Sequence, residues 1–194
     1  MHNRGRGYHN EFRIIAGEWR RRRLSFPPVP DIRPSPDRVR ETLFNWLRDT
    51  VAGASCLDLF AGSGALGLEA LSRGAAAVLF VDHERRVVEA LNAHLARLGA
   101  AGGTSLQADA LAYLRGTPHA FDLVFLDPPF ASPFLGEVIA ALRKSAWLAP
   151  TASIYMEYPK GAPPVVPDDW TLVRTSRAGQ VGFALARRSG PRLA

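Results

Sequence analysis

After Gly53 the chain alternates short apolar runs with stretches in which apolar positions recur at helical spacing. Runs near 55–60, 76–81, 104–107, 121–126 and 152–158 predict strands, and the amphipathic stretches between them predict helices. Alternation of this kind marks βαβ units, whose parallel sheet is covered by helices on both faces. The last two runs, Trp170 to Ser176 and Val181 to Arg187, are separated only by Arg177-Ala178-Gly179-Gln180. So short a link makes a hairpin, and one closing strand is expected to run antiparallel to the other six.

Upstream of Gly53 the pattern changes. Phe12-Arg13-Ile14-Ile15-Ala16 and Arg20 to Phe26 predict two strands joined by Gly17-Glu18-Trp19, and Pro27 to Pro34 reads as a proline-rich connector. Ser35 suits a helix N-cap and Pro36 the first helical position. Val39, Leu43, Trp46 and Leu47 then recur at helical spacing, which predicts an amphipathic helix over 36–51. Residues 1–11, polar and rich in Gly and Arg, are expected to form a disordered tail. The chain thus divides into a tail (1–11), a hairpin-and-helix extension (12–52) and one α/β domain (53–190).

At 194 residues and 47% hydrophobic, the chain can bury one substantial core but has no room for a separate target-reading domain. Lys144 and Lys160 are the only lysines, so arginine carries almost all the positive charge. Residues 1–48 hold 11 basic and 5 acidic side chains, so nearly a quarter of the chain carries the whole +6 excess. Genomic base bias would spread arginine evenly. A concentrated excess is the footprint of a polyanion partner. The single cysteine, Cys56, excludes an intrachain disulfide, and the N-terminus lacks the apolar core of a signal peptide. No stretch reaches the roughly 18 apolar residues of a membrane span. A soluble, cytoplasmic protein without a metal site is expected.

The strand at 55–60 runs into Gly62-Ser63-Gly64-Ala65-Leu66-Gly67, and Asp82 follows Gly62 by 20 residues at the end of the next strand. These are nucleotide-binding spacings: the glycines let backbone approach a ligand, and the helix that follows points free N–H groups at it. Alone, the motif fits NAD as well, or a tight turn with no ligand. Asp58 shifts the balance. A dinucleotide's pyrophosphate would meet a second negative charge there, whereas the sulfonium and ammonium of S-adenosylmethionine would be attracted. Asp58 could instead cap the amides of the glycine turn itself. Asp109 could accept from an adenine amine or cap the helix that starts at Ala110.

Asp127-Pro128-Pro129-Phe130 closes the apolar run 121–126. Each proline lacks an N–H, so the segment offers acceptors and almost no donors. The Asp127 carboxylate and the Pro128 carbonyl can both accept from an exocyclic amine, and the Phe130 ring can stack on the base that bears it. A proline-rich turn with a capping Asp is the alternative.

Asp58-Leu59-Phe60-Ala61-Gly62-Ser63-Gly64, Asp82, Asp109 and Asp127-Pro128-Pro129-Phe130, in this order, resemble the class I S-adenosylmethionine-dependent methyltransferases that modify exocyclic amines. Arg13-Ile14-Ile15-Ala16-Gly17 and Arg33-Pro34-Ser35-Pro36-Asp37-Arg38-Val39-Arg40-Glu41 narrow the likeness to the RsmD family of bacterial ribosomal RNA methyltransferases. The resemblance runs from about residue 12 to the closing hairpin. It implies a three-layer α/β/α, Rossmann-like class I methyltransferase fold. The implied reaction is methylation of the N2 amine of one guanine, position 966 of 16S ribosomal RNA, in the small subunit or its assembly intermediate, by a monomer. A methyltransferase acting on the adenine N6 or cytosine N4 amine of DNA or another RNA is the alternative. The resemblance further implies that Asp82 with His83 holds the cofactor ribose, and Asp109 with Ala110 the adenine. Phe60, Ala61, Gly62, Ser63 and Gly64 would take the methionine end, and Ser35 with Arg38 its carboxylate. Ser35 stands where the family commonly has Thr, and Asp82 where Glu is common. Arg13, Arg20, Arg21, Arg22, Arg23 and Arg33 are read as sites that hold RNA phosphates, with a solvated hairpin face as the alternative for Arg20 to Arg23.

Overall fold

The computed structural model describes residues 10–29, 34–129, 134–144 and 146–189. Seven strands form one sheet: β3 (Ser55–Asp58), β4 (Ala77–Asp82), β5 (Gly103–Gln107), β6 (Phe121–Leu126), β7 (Leu148–Pro159), β8 (Trp170–Ala178) and β9 (Val181–Arg188). Their order is β5-β4-β3-β6-β7-β9-β8. β9 pairs antiparallel with both neighbours, and the pairs from β5 across to β7 are parallel, so the last strand of the chain inserts between β7 and β8 as the one antiparallel member.

Helices cover both faces, so the central strands are buried almost throughout, successive residues alternating between the two cores. Cys56, Phe125 and Tyr155 face one core with α2 (Ala65–Ser72) and α3 (Arg85–Leu98). Leu57, Leu126 and Met156 face the other with α4 (Ala110–Leu114) and α5 (Phe134–Lys144). The three-layer Rossmann-like arrangement expected from the class I methyltransferase resemblance is therefore present. No helix among the described residues is long and apolar enough to cross a membrane.

The N-terminal extension departs from its sequence reading in three places. Its strands, β1 (Glu11–Arg13) and β2 (Arg23–Ser25), are shorter than 12–16 and 20–26. The missing ladder bonds go to α2: the Ile15 and Ala16 amides donate to Glu69 at 2.8 and 3.0 Å, and the Glu18 amide to the Ser72 carbonyl at 2.8 Å. Trp19, in the segment expected to join the strands, is buried, and Arg20 to Arg22 lie in the wide turn rather than on a strand. Next, α1 (Asp37–Trp46) stops short of residue 51, its end closed by the Thr50 and Val51 amides on the Leu47 carbonyl at 2.9 and 3.0 Å. Finally, Ser35 does not cap α1. Pro36 holds that position without a side-chain bond, because the Ser35 hydroxyl is committed elsewhere. The expected tail overlaps β1 at Glu11, and residues 1–9 lie outside the described residues.

α1 lies on the same face as α2 and α3, with Val39, Leu43 and Phe44 in that core and Trp46 tilted on Phe183 of β9. Arg40, fully buried, ties the extension together. It donates to the carbonyls of Ser35 (3.1 Å) and Arg13 (2.9 Å) and to the Asp37 carboxylate (2.6 Å), and lies 3.5 Å from Glu69.

Candidate active site

The strand order reverses between β3 and β6, and at such a switch point the connections on either side leave a crevice at the carboxyl ends of the strands. The acids singled out by sequence gather at that edge: Asp58 ends β3, Asp82 ends β4, Asp109 follows β5 and Asp127 follows β6.

Between β3 and α2 the turn is held by the Gly64 amide on the Ala61 carbonyl at 2.7 Å and the Ala61 amide on the Val81 carbonyl at 3.0 Å. Gly64 sits at φ +77°, left-handed backbone that a side chain would strain. Gly67 serves packing instead: a Cβ there would lie 2.3 Å from the Phe80 ring, so its absence lets α2 close onto β4. Ser63 and Ala61 are buried in the turn and Phe60 is half-buried.

Asp58 accepts from the Gly67 amide at 3.0 Å, which realises the capping role considered for it. Its carboxyl is 2% exposed, and burial, assisted by the Asp82 charge and opposed by the Gly67 bond, pushes its pKa up to about 8. Asp82 accepts from the Gly62 amide and the Glu84 amide, each at 2.8 Å, with one oxygen for each. His83 is exposed, its Nδ1 3.6 Å from Asp82. Asp109 caps α4, accepting from the Ala112 amide at 2.8 Å, and Ala110 beneath it is buried. Two amides of the glycine region, those of Gly62 and Gly67, are thus already bonded to carboxylates. That donor set suits a cationic ligand better than a pyrophosphate, which needs those N–H groups free.

Asp127 is half-buried at the tip of β6 and Pro128 behind it is buried. Burial raises the Asp127 pKa well above the carboxylate range, and the charges of Glu157 and Asp58 raise it further against the Ser35 hydroxyl. Phe130 and Arg33 lie outside the described residues.

Sequence reasoning missed Glu157. It is 3% exposed on β7 and accepts from the Ser35 hydroxyl at 2.6 Å and the Tyr155 hydroxyl at 2.8 Å. The signal for it was a lone carboxylate inside the apolar run Ile154-Tyr155-Met156-Glu157-Tyr158, because a buried charge needs partners. Ser35 donates its one hydroxyl proton to Glu157, so receiving a cofactor carboxylate would require that hydroxyl to turn. Arg38 is exposed on the first turn of α1. Arg20, Arg21, Arg22 and Arg23 are all exposed, whereas Arg13 is drawn to Asp37 at 2.6 Å.

Comparison with known proteins agrees with this geometry. Residues 12–187 match the family model described as Conserved hypothetical protein 95. Ribosomal RNA small subunit methyltransferase D of Escherichia coli K12 is 47% identical over 181 residues, covering 92% of this chain and 90% of that protein. The protein of the same name from Haemophilus influenzae is 42% identical over 180 residues, covering 90% and 93%. The solved structure of the Escherichia coli protein yhhF superposes with a TM-score of 0.85 at 46% identity, covering 93% of this chain and 99% of that one. The chain belongs to the ribosomal RNA small subunit methyltransferase D family, that of Conserved hypothetical protein 95.

Proposed function

We propose that the chain methylates ribosomal RNA, transferring a methyl group from S-adenosylmethionine to the N2 amine of a guanine in 16S ribosomal RNA, position 966, in the small subunit or its assembly intermediate. The observation that carries this reading is Asp127, a half-buried residue whose carboxyl is desolvated, followed by a residue with no N–H and flanked by Asp58 and Glu157 at the sheet's switch point. When bound, S-adenosylmethionine supplies an electrophilic methyl on a positively charged sulfur. Asp58 and the glycine turn would face its methionine end, Ser35 and Arg38 its carboxylate, Asp82 with His83 the ribose, and Asp109 with Ala110 the adenine.

A guanine N2 lone pair is delocalised into the ring and is a weak nucleophile. Hydrogen bonds from the amine to the Asp127 carboxylate and the Pro128 carbonyl would reduce that delocalisation and aim the lone pair. The nitrogen becomes acidic only once it carries the methyl, so the base acts after bond formation, and Asp127 or water would take the proton. Reaching the amine requires an unstacked guanine, for which Phe130 would supply replacement stacking. The exposed arginines of the hairpin turn would hold phosphates.

The test is to incubate the protein with labelled S-adenosylmethionine and undermodified small subunits, then map the methylated base. Label on a single guanine N2 supports the reading. Label on adenine N6 or cytosine N4, in this RNA or in DNA offered in parallel, replaces it with the alternative amine specificity.

A further inference from the structure

Asp127 and Glu157 occupy equivalent places on adjacent parallel strands. Leu126 of β6 is in register with Met156 of β7, and each acid is the next residue. Phe125 and Tyr155, two positions back, face the α1 side of the sheet, so strand alternation sends both carboxyls to that side as well. Neighbouring strands lie about 4.8 Å apart. Asp58 approaches from β3 on the same face, one step lower, since it is in register with Phe125. The donors on Glu157 are hydroxyls, Ser35 from the segment before α1 and Tyr155 from its own strand. Among the described residues neither Asp127 nor Glu157 forms an ion pair with an arginine or lysine.

Two adjacent carboxyls with no cationic partner among the described residues cannot both ionise cheaply, so they hold one proton between them. The Ser35 hydroxyl favours the charged form of both acids, but the Tyr155 hydroxyl bonds Glu157 alone, which leaves the shared proton on Asp127. We propose that Glu157 is a positioning residue that makes Asp127 a base: its anion, held by Tyr155 throughout and by Ser35 as well in the ligand-free chain, gives the Asp127 carboxylate the proton affinity needed to finish the reaction. The raised values of Asp127 and Glu157 agree with this arrangement.

The role rests on the methyltransferase reading, and its chemistry balances. The amine nitrogen gains a bond to the methyl carbon as the carbon–sulfur bond breaks, and the positive charge passes to the nitrogen. That nitrogen then gives one proton to Asp127, whose affinity for it is highest once the sulfur is neutral. The product is a neutral methylated amine and a protonated Asp127. The proton leaves when the next positively charged donor binds.

The decisive measurement is a carbon-13 NMR titration of labelled aspartates in the ligand-free full chain, with the Asp127 resonance assigned through Asp127→Asn. Glu157→Gln keeps an oxygen for the Ser35 and Tyr155 hydroxyls and removes the charge. The Asp127 midpoint should fall by about one pH unit or more, roughly tenfold in proton affinity. The acid limb of single-turnover methyl transfer should move to lower pH by the same amount. Tyr155→Phe, which keeps the ring in the core, should shift the proton toward Glu157 and lower the Asp127 midpoint by less. An Asp127 midpoint unmoved in both variants overturns the proposal, even if methyl transfer proceeds. Absence of any methyl transfer by the parent chain, with the midpoint shifted, instead overturns the enzymatic reading and leaves the carboxyl pair standing.

Discussion

Asp58 loses on folding the hydration it keeps in the unfolded chain and gains one backbone hydrogen bond, from the Gly67 amide. Between the ordinary carboxylate range and its folded value of about 8, the native chain holds a proton that the unfolded chain has released. Stability therefore falls as pH rises through that window. The raised carboxyls of Asp127 and Glu157 act with the same sign. We expect the Tm of the ligand-free chain to decline from about pH 4 to about pH 8, and Asp58→Asn to make the decline shallower. A melting series across that range checks it, and an unaltered slope would remove Asp58 from the account. Asp127→Ala is expected to lower methyl transfer by roughly 100-fold or more, because the amine loses its charged acceptor. Affinity for S-adenosylhomocysteine, read by calorimetry, should stay within a few fold.

At the scale of elements, the hairpin, α1 and α2 are held by one buried ionic cluster. Glu69 accepts from two hairpin amides and from Arg73 at 2.7 Å, while Arg40 reaches Glu69, Asp37 and two carbonyls. Burial lowers the Arg40 pKa, and the neighbouring Glu69 and Asp37 charges oppose that shift. Removing one member strands the others in a dry site. Arg40→Met should therefore cost about 3–5 kcal/mol in denaturant unfolding, well beyond an exposed ion pair such as Arg85 with Glu89. The same variant should speed tryptic cleavage at the already exposed Arg20 to Arg23 turn, because the hairpin opens locally more often.

Over the whole molecule, charge and shape are segregated. Four of the six net positive charges belong to residues 12–52, the extension whose hairpin bonds to α2, and the acidic residues of the site line the carboxyl edge of the sheet. Replacing Arg20 to Arg23 with Ala should weaken RNA binding and lower the salt slope by roughly 0.7–0.9 per phosphate that the arginines had neutralised. Cofactor affinity should be unchanged, because among the described residues the one ion pair of the four is that of Arg23 with Glu11, away from the glycine turn and the strand tips. Binding to 16S ribosomal RNA fragments across a salt series measures both.

The sequence by itself determined the rhythm of strands and helices, the hairpin that closes the sheet, the glycine turn, and the acids at the ends of four strands. Each follows from local periodicity or from φ restrictions at glycine and proline, which act over a few residues. Only the tertiary structure decided that Ser35 gives its proton to Glu157, 122 residues away, instead of capping α1. It also decided that Glu69 takes the amides of a hairpin 53 and 54 positions upstream, shortening both strands. Such partners meet because of strand order and helix placement, and spacing along the chain carries no record of which buried polar groups will face each other. A buried carboxylate announces that it needs a donor, and the fold selects which one.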